Sequence, residues 1–304
     1  MKQNDIIIDV GANFGGFSLE IAKRNPTYNV YAIEAEPNLA TQLDENATNT
    51  GLENHQVINC AVNEEEGDFQ FYVSELGDHG TSSLLPFSQN NITHDEYWKD
   101  RSDLHHSKSV VVHAKPLEKI LDEISFDNVA FIKIDVQGLD LAVLKSSGSY
   151  LNKIQAGMLE VPSVLSKSLY DNTSEDLMSA LAFLKQSGFS VYAVKPNDPA
   201  ANEFNVFFVK NGLDHKEIEE KLNLLDFHFY DGKHFWHAPS HKLENPEQHI
   251  LNLNEVISSQ TQEVESLKLK MEAVLSENKE LKHALNVMES NKAVRFLKLI
   301  KLIK

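Results

Sequence analysis

The sequence predicts an α/β protein in which a mostly parallel sheet with flanking helices is followed by a long C-terminal helix. From residue 5 to about residue 210, short apolar runs alternate with longer amphipathic stretches, as in consecutive strand–helix units. Several of these runs are apolar throughout, which is typical of strands buried on both faces. After Pro246 the apolar residues change to a heptad spacing, which indicates a coiled coil.

Seven segments are predicted to be strands and five to be helices. The strands are residues 5–10, 29–33, 56–60, 129–134, 156–160, 189–194 and 204–209. The helices are residues 15–25, 37–50, 116–124, 139–147 and 174–187. Because no helix separates the last two strands, we expect them to form an antiparallel pair at a sheet edge.

The segment from Glu64 to Ser109, called the insert below, interrupts the alternation of strands and helices. It is polar and contains three glycines, so it predicts a hairpin and a long loop. Loops of this length are uncommon in compact domains unless they have a function. We therefore expect the insert to cover or shape a binding site.

Composition narrows the functional classes. A chain of 304 residues with 41% hydrophobic residues fits one sizeable core plus an appendage. The net charge of −17 argues against a nucleic-acid binder, which needs a basic face. The single cysteine, Cys60, excludes internal disulfides and cysteine zinc clusters. With no signal peptide or membrane-spanning run in the sequence, we expect a cytoplasmic protein.

Four segments follow one another along the chain. They are an α/β domain at 1–210, a linker rich in aromatic residues and histidines at 211–247, a coiled coil at 248–291 and a basic tail at 292–304. The linker histidines are His228, His234, His237 and His241. Their spacings match no familiar ligand pattern, so we expect linker packing rather than a metal site.

The heptads define two core positions of the coiled coil. The first holds Ile250, Ile257, Val264, Met271, Asn278 and Leu285. The second holds Leu253, Gln260, Leu267, Val274, Leu281 and Met288. A lone asparagine at the first position, Asn278, favours a parallel dimer of this chain. A trimer and a helix folded back on the globular domain are the alternatives.

The tail at residues 292–304 is cationic and amphipathic. Its cations are Lys292, Arg295, Lys298, Lys301 and Lys304, with apolar residues between them. Such a helix is typical of an anchor on an anionic membrane surface, and thirteen residues are too few to span a bilayer. The alternative is a helix that caps the coiled coil or docks on the acidic domain.

A glycine turn at residues 9–16 joins the first predicted strand to the first predicted helix. Glycines let the backbone approach a ligand closely, and the start of a helix presents N–H groups. Glu34 ends the second strand, where a carboxylate can accept hydrogen bonds from both ribose hydroxyls. This spacing fits a nucleotide-type cofactor.

Asn13 distinguishes between two such cofactors. A dinucleotide site has glycine at the middle position of Gly-x-Gly-x-x-Gly, and the side chain of Asn13 would obstruct a pyrophosphate there. S-adenosyl-L-methionine has no phosphate, and its zwitterionic end requires an acid near the ammonium and backbone donors near the carboxylate. Asp9 and the turn from Gly11 to Gly15 can supply both. A nicotinamide-dependent dehydrogenase is the less favoured alternative.

Four short motifs occur together in about the first 210 residues. They are Asp-Val-Gly-Ala-Asn-x-Gly at 9–15, Glu-x-Glu-Pro at 34–37, Ser-Ser at 82–83 and Phe-Ile-Lys-Ile-Asp-Val-Gln-Gly at 131–138. In this combination the chain resembles the FkbM-type methyltransferases. The resemblance implies a class I methyltransferase fold, with a seven-stranded sheet whose last strand is antiparallel. It also implies O-methylation, often of sugar or polyketide-like hydroxyls.

The same resemblance assigns residues to the cofactor. It implies that the cofactor is held by Asp9, Gly11, Asn13, Gly15 and Glu34. It further implies that the segment from Asn59 through Ala61 to Val62, after the third strand, flanks the adenine.

The acceptor is expected beside Lys133 and Asp135, because ligands bind at the carboxyl ends of strands in such sheets. The family usually has Asp-x-Glu-Gly-x-Glu here, whereas this chain has Gln137 in place of the first glutamate. Glu160, at the end of the next strand, matches another acid of the family. In-line methyl transfer requires an aligned hydroxyl and removal of its proton. We hypothesise that Asp135 or Glu160 assists the proton transfer, with Lys133 and His113 as further candidates and no metal.

The leading hypothesis combines these parts. It is an oligomeric O-methyltransferase at the inner face of the membrane that acts on a glycan, such as a lipid-linked surface polysaccharide. It is similar to chain-terminating methyltransferases of O-antigen synthesis, in which a coiled coil separates the catalytic head from the membrane. The alternative is a non-catalytic, methyltransferase-like scaffold at the membrane, which Gln137 motivates and the intact turn at 9–16 opposes.

Overall fold

The computed structural model describes residues 4–74, 79–198, 200–225, 246–290 and 292–300. The chain divides into two compact units, Met1–Ala238 and Pro239–Lys304. Each unit is described by itself.

The first unit contains strands and helices in alternation. The strands are β1 (Ile6–Val10), β2 (Asn29–Glu34), β3 (His55–Asn59), β4 (Ala61–Val62), β5 (Gly67–Val73), β6 (Lys108–Lys115), β7 (Val129–Ile134), β8 (Ala156–Pro162), β9 (Phe189–Pro196) and β10 (Glu203–Lys210). The α-helices are α1 (Ser18–Arg24), α2 (Pro37–Asn49), α3 (Gln89–His94), α4 (Leu117–Asp122), α5 (Asp140–Lys145), α6 (Leu177–Gln186) and α7 (His215–Lys221).

Seven strands form the main sheet in the order β3-β2-β1-β7-β8-β10-β9. β1 pairs in parallel with β2 and β7, whereas β10 is antiparallel to both β8 and β9. All seven predicted strands are confirmed, as is the antiparallel pair at the sheet edge. The sheet also has the seven strands and the antiparallel last strand that the family resemblance implies.

The central strands are buried on both faces, which explains their continuous apolar sequence. All five residues of β1 are buried. Ile6 and Ile8 join one apolar cluster, with residues of α4, α5 and α6, and Ile7 joins another, with Phe17 and Ile21. This alternation follows from the two-residue period of a strand and covers both faces of the sheet with helices.

The insert is more ordered than the predicted hairpin and loop. β5 and β6 do pair as antiparallel strands, and β4 extends them to a second sheet of three strands, β4-β6-β5. Between β5 and β6 the chain forms α3 and an apolar cluster of its own. That cluster contains Phe87, Ile92, Trp98, Leu104, Leu169 and Tyr170.

The packed core continues past Lys210. α7 follows, and Leu222 and Leu224 are fully buried in the same cluster as Phe17 and Ile21. The linker histidines at 228, 234, 237 and 241 lie outside the described residues.

The second unit consists of a 45-residue helix, Pro246–Ser290, followed by a shorter helix, Lys292–Leu299. The described apolar heptad side chains are all at least half exposed. They are Val264, Leu267, Met271, Val274, Leu281, Leu285 and Met288. None of the described helices is both long enough and apolar enough to cross a membrane.

Candidate functional site

A cavity of about 550 Å³ lies at the carboxyl ends of the central strands. Eight of the ten predicted site residues line it. They are Asp9, Gly11, Asn13, Glu34, Ala61, Lys133, Asp135 and Glu160. The cavity lies beside β1, where the chain order of the strands reverses, which is the usual ligand position in open α/β sheets.

The glycine turn is shaped by its contact with the loop after β7. Gly11 has a φ of 79°, and a Cβ there would lie 1.9 Å from the backbone oxygen of Asp135. The amides of Gly11 and Ala12 both donate to the Ile33 carbonyl, and the amide of Asn13 donates to Glu34. These three donors are therefore used within the protein, and the expectation that the turn from Gly11 to Gly15 supplies backbone donors to a ligand carboxylate stays a prediction.

Gly15 and Asn59 do not line the cavity, although both were predicted to contact the cofactor. Gly15 has a φ of 83°, and a Cβ there would lie 2.3 Å from the Leu43 side chain, so its role is close packing. The Asn59 amide donates to the carbonyls of Glu34 and Ala35 at 2.8 and 3.2 Å. It therefore supports the loop that holds Glu34.

Glu34 is buried at the end of β2, and its carboxylate holds two turns together. One oxygen accepts from the amide of Asn13 at 2.7 Å and the other from the amide of Glu36 at 2.8 Å. Burial raises the pKa of Glu34 to about 7, although these two N–H groups favour its ionised form. Because a carboxylate has about four lone-pair positions, each oxygen can accept one more hydrogen bond.

Asp9 is a buried acid without hydrogen bonds. Both of its oxygens lack a hydrogen-bond partner among the described residues, and the nearest cation is Lys133, whose Nζ lies 3.5 Å away. Burial raises the pKa of Asp9, and Lys133 and the Ser18 backbone, which approach the carboxylate without standard hydrogen-bond geometry, offset this only in part. Buried carboxylates are rarely left without donors, so Asp9 is equipped to bind a ligand cation.

Lys133 lies between the two acids Asp9 and Asp135. It is the register partner of Asp9 across the β1–β7 pair, and its Nζ also lies 3.1 Å from Asp135. Burial disfavours the charge on Lys133, but the carboxylates of Asp135 and Asp9 outweigh burial and raise its pKa. Lys133 is therefore an ammonium and not a proton acceptor at neutral pH.

Asp135 and Glu160 meet through Gln137. The Gln137 side-chain amide donates to Asp135 at 2.7 Å and to Glu160 at 3.1 Å. Burial and the carboxylates of Asp135 and Glu203 raise the pKa of Glu160 well above its ordinary value. The two acids predicted to assist proton transfer therefore lie together in the cavity, beside an amide that the sequence analysis did not assign to the site.

Sequence reasoning also missed Asn197 and Asn205, which line this end of the cavity. The Asn197 amide donates to Glu160, and Asn205 donates to Asn197 at 3.3 Å. Asn205 is the register partner of Glu160 in the β8–β10 pair. That register cannot be obtained from one sequence, and neither asparagine belongs to a recognisable motif.

The insert reaches the cavity, as predicted. Phe71, Gly80, Ser82 and Leu84 line it. His113, in contrast, is half exposed on β6, where its Nδ1 lies 2.9 Å from Asp68 and it does not line the cavity. The structure does not bring His113 to the predicted acceptor site.

The opposite end of the cavity is mostly apolar. It is lined by Ala35, Leu39, Cys60, Ala61, Val62 and Phe71. Cys60 is buried and is part of the main apolar cluster. This end can take a flat, weakly polar ring.

The fold and the cavity define a doubly wound α/β protein with a ligand site at the point where the strand order reverses. Residues 9–229 match the family model of the Methyltransferase FkbM domain. The match spans most of the chain, and the chain belongs to this family.

Individual relatives are more distant. The methyltransferase sdnD of Sordaria araneosa is 27% identical over 160 residues, which are 48% of this chain and 61% of that protein. This chain thus spans less than two thirds of the length of that relative.

Two solved structures are similar at low identity. Fibrillarin of Aeropyrum pernix, in complex with S-adenosyl-L-methionine, is 12% identical with a TM-score of 0.40, over 68% of this chain and 67% of that chain. An rRNA methylase of Streptococcus thermophilus is 12% identical with a TM-score of 0.39, over 68% and 88%.

Proposed function

We propose that this protein is an S-adenosylmethionine-dependent O-methyltransferase that acts on a sugar hydroxyl. The observation that carries the proposal is one cavity that contains both Asp9, a buried carboxylate without hydrogen bonds, and Glu34, whose carboxylate keeps two accepting positions. A zwitterionic ligand with a ribose requires these two groups. Family membership supports the same conclusion.

The residues present fit this cofactor. The Asp9 oxygens, which form no hydrogen bond among the described residues, suit its ammonium, and the remaining lone pairs of Glu34 suit its two ribose hydroxyls. The apolar end at Ala61 and Val62 suits the adenine. Donors for the cofactor's carboxylate come from the start of α1, where Gly16 lines the cavity, because the earlier amides of the turn are already used.

When bound, S-adenosylmethionine supplies an electrophilic methyl group for in-line displacement. The chain's own residues align the acceptor hydroxyl and receive its proton. With the cofactor bound, Asp135 or Glu160 would accept that proton while the acceptor oxygen takes the methyl group and the carbon–sulfur bond breaks, which would give a methyl ether and S-adenosylhomocysteine. Lys133 holds Asp135 through its ion pair and does not itself accept the proton.

The side chains around Asp135 and Glu160 support the proposal of an acceptor with several hydroxyl groups. Carboxylate and amide side chains crowd there, and these groups can both donate to and accept from vicinal hydroxyls. They are Asp135, Gln137, Glu160, Asn197 and Asn205. We propose a glycan, specifically a lipid-linked surface polysaccharide, as the substrate.

Transfer of a labelled methyl group from S-adenosylmethionine to polysaccharide extracts tests this function. We expect label in the polysaccharide fraction and loss of about 100-fold or more of the rate when the proton-accepting residue is replaced, as Asp135→Asn or Glu160→Gln. Asp44→Asn, at an exposed position of α2, is the matched control and keeps full activity. Label that appears only in non-glycan acceptors would remove the sugar from the proposal.

We also propose that the helix Pro246–Ser290 forms a parallel coiled-coil dimer. The exposed apolar heptad side chains and Asn278 at a core position support it. At 1.5 Å per residue the helix is about 68 Å long and acts as a spacer. Light scattering is expected to give twice the single-chain mass for the full chain and a single-chain mass after deletion of 246–304. A trimeric or monomeric full chain would contradict the dimer.

The tail completes the proposal as a peripheral membrane anchor. In the helix Lys292–Leu299, Arg295 lies among exposed apolar residues such as Phe296 and Leu299. Two copies on one coiled coil would increase the affinity for anionic lipid. Sedimentation with anionic vesicles is expected to recover the full chain but not a chain lacking 292–304. Equal recovery of both would exclude the anchor.

A further inference from the structure

Asp135 and Glu160 are surrounded by N–H donors on every carboxylate oxygen. Asp135 accepts from Gln137 Nε2 at 2.7 Å on Oδ1 and from Lys133 Nζ at 3.1 Å on Oδ2. Glu160 accepts from the same Gln137 Nε2 at 3.1 Å on Oε1 and from Asn197 Nδ2 on Oε2. One amide nitrogen thus uses both of its hydrogens to join the buried Glu160 to the partly exposed Asp135.

Gln137 is held in this position by two hydroxyl groups. The Tyr170 hydroxyl shares its hydrogen between Gln137 Oε1 at 2.8 Å and the Thr81 carbonyl at 2.9 Å, and Ser83 donates to the Gln137 carbonyl at 2.6 Å. Gln137 itself has a φ of 64°, a left-handed conformation that non-glycine residues seldom adopt. Because ionised carboxylates only accept hydrogen bonds, the amide nitrogen faces Asp135 and Glu160 and the amide oxygen faces the Tyr170 hydroxyl.

Two neighbouring carboxylates repel each other unless a proton, a cation or a shared donor lies between them. A divalent cation requires oxygen ligands at about 2.0 to 2.6 Å and would have to occupy the place of the Gln137 nitrogen. The remaining donors to the two acids, the ammonium of Lys133 and the side-chain amide of Asn197, are electropositive and would oppose it. The N–H donors of Gln137, Lys133 and Asn197 therefore offset the repulsion between the two acids, as a cation between them would.

We propose that Gln137 is a positioning residue that takes the place of a divalent cation between Asp135 and Glu160, so that the two carboxylates face the acceptor as a metal-independent pair. This inference rests on the proposed function only for the identity of the acceptor. The amide holds the acids at a fixed separation while leaving a proton-accepting lone pair on each. Tyr170 and Ser83 connect this arrangement to the insert and to the segment after β8.

Titration of the full chain with Mn²⁺, followed by electron paramagnetic resonance, tests whether the Gln137 amide takes the place of a cation between Asp135 and Glu160. In Gln137→Glu three carboxylates converge where the amide was, so this variant is expected to gain one Mn²⁺ site per chain, bound at least tenfold more tightly than any site of the unaltered protein. Gln186→Glu adds the same charge at an exposed position of α6 and is expected to gain no site. A Mn²⁺ site in the unaltered protein that Asp135→Asn abolishes would overturn the proposal, and so would a folded Gln137→Glu that gains no site.

A second variant tests positioning without adding charge. Gln137→Met keeps the side-chain length but removes the donor, so the pKa of Glu160 is expected to rise by at least one unit. The pKa is measured from the pH dependence of the ¹³C resonance of the Glu160 carboxyl group. That resonance is assigned by its absence from the spectrum of Glu160→Gln. The charged groups that face Glu160 are Asp135, Glu203, Asp140 and Lys133, and all are unchanged in this variant.

An unaltered Glu160 titration in folded Gln137→Met would show that the amide does not hold the pair and would overturn the proposal. Neither experiment uses a methyl donor or an acceptor. Their failure is therefore distinguishable from failure of the proposed function, which cofactor binding tests separately.

Discussion

At the scale of single residues, Glu34 links ligand binding to protonation. Its pKa is raised to about 7, first of all by burial, so a large share of it is protonated at neutral pH. Ribose hydroxyls that donate to it favour the carboxylate, and binding must then release a proton below pH 7. We expect the affinity for S-adenosylmethionine to fall by up to about tenfold per pH unit below pH 7 and to be constant above about pH 8.

Calorimetry in two buffers of different ionisation enthalpy measures this proton release directly. At pH 6.5 the observed enthalpy should depend on the buffer, and at pH 8.5 it should not. Glu34→Gln is expected to bind about 10- to 100-fold more weakly, because an ionised acceptor is lost, and with a smaller proton release. Identical pH profiles for the two proteins would contradict the role of Glu34.

Lys133 provides a second prediction at this scale. Lys133→Met leaves Asp9 and Asp135 without their shared cation, and breaking a buried ion pair in this way costs about 3–5 kcal/mol. Urea unfolding at pH 7.5 measures the loss. The loss should shrink at pH 5, since acids without a cation take up protons more readily.

The control for Lys133 is Lys99→Met. Lys99 pairs with Glu96 at the surface, where an ion pair is worth at most about 1 kcal/mol. Equal destabilisation by the two lysine replacements would mean that the ion pairs of Lys133 with Asp9 and Asp135 do not stabilise the fold more than a surface pair does.

The residues of the site were predictable only where the sequence carries a motif. Asp9, Glu34 and Asp135 lie at or next to the carboxyl ends of strands with a recognisable pattern, so the parallel arrangement of these strands predicts that they line one cavity. Asn205 reaches the site through the antiparallel register with Glu160, and Gln137 through hydrogen bonds to Tyr170, a residue 33 positions away in sequence. Such contacts depend on tertiary packing, which cannot be predicted from the pattern of a single sequence.

At the scale of structural elements, the turn between β1 and α1 depends on glycine for two separable reasons. Gly11 has a positive φ and also contacts the backbone of Asp135, whereas Gly51 has a φ of 70° and nothing within 4 Å of a Cβ. Gly51→Ala should cost about 1–2 kcal/mol from backbone strain alone. Gly11→Ala should cost at least about 2 kcal/mol more, because β1 and β7 must move apart.

Urea unfolding of both alanine variants gives the difference. It isolates the close approach of the turn to the β7 loop, since the strain at positive φ is common to both positions. Equal losses would mean that the turn has room for a side chain and that its contact with Asp135 is not required.

The buried strands were predicted from the sequence, whereas the partly exposed elements of the insert were predicted incompletely. β1, β7 and β8 are buried on both faces, so their apolar runs are unmistakable. β5 and β6 belong to a small sheet with an exposed face, and α3 is a single short helix, so their sequences resemble polar loop. The insert folds because its cluster around Trp98 packs on Leu169 and Tyr170 from another part of the chain.

At the scale of the whole molecule, we propose that Asn278 sets the number of chains in the coiled coil. Replacing this core asparagine with an apolar residue removes a buried polar pair that specifies register and chain number. Asn278→Ile is therefore expected to raise the melting temperature of the helix and to give a mixture of dimers and trimers by sedimentation equilibrium. Ser276→Ile, at an outer heptad position, should leave a dimer, and a dimer in both variants would remove Asn278 as the determinant.

Calorimetric titration of the full chain shows directly whether the cavity lined by Asp9 and Glu160 binds S-adenosylmethionine. We expect one molecule bound per chain, with binding strongly weakened in Glu34→Ala and retained in the α2 surface variant Asp44→Asn. No heat from the unaltered, folded protein at ligand concentrations up to about 1 mM, the upper end of ordinary enzyme KM values, would contradict it. That result would favour a methyltransferase-like scaffold instead of an enzyme.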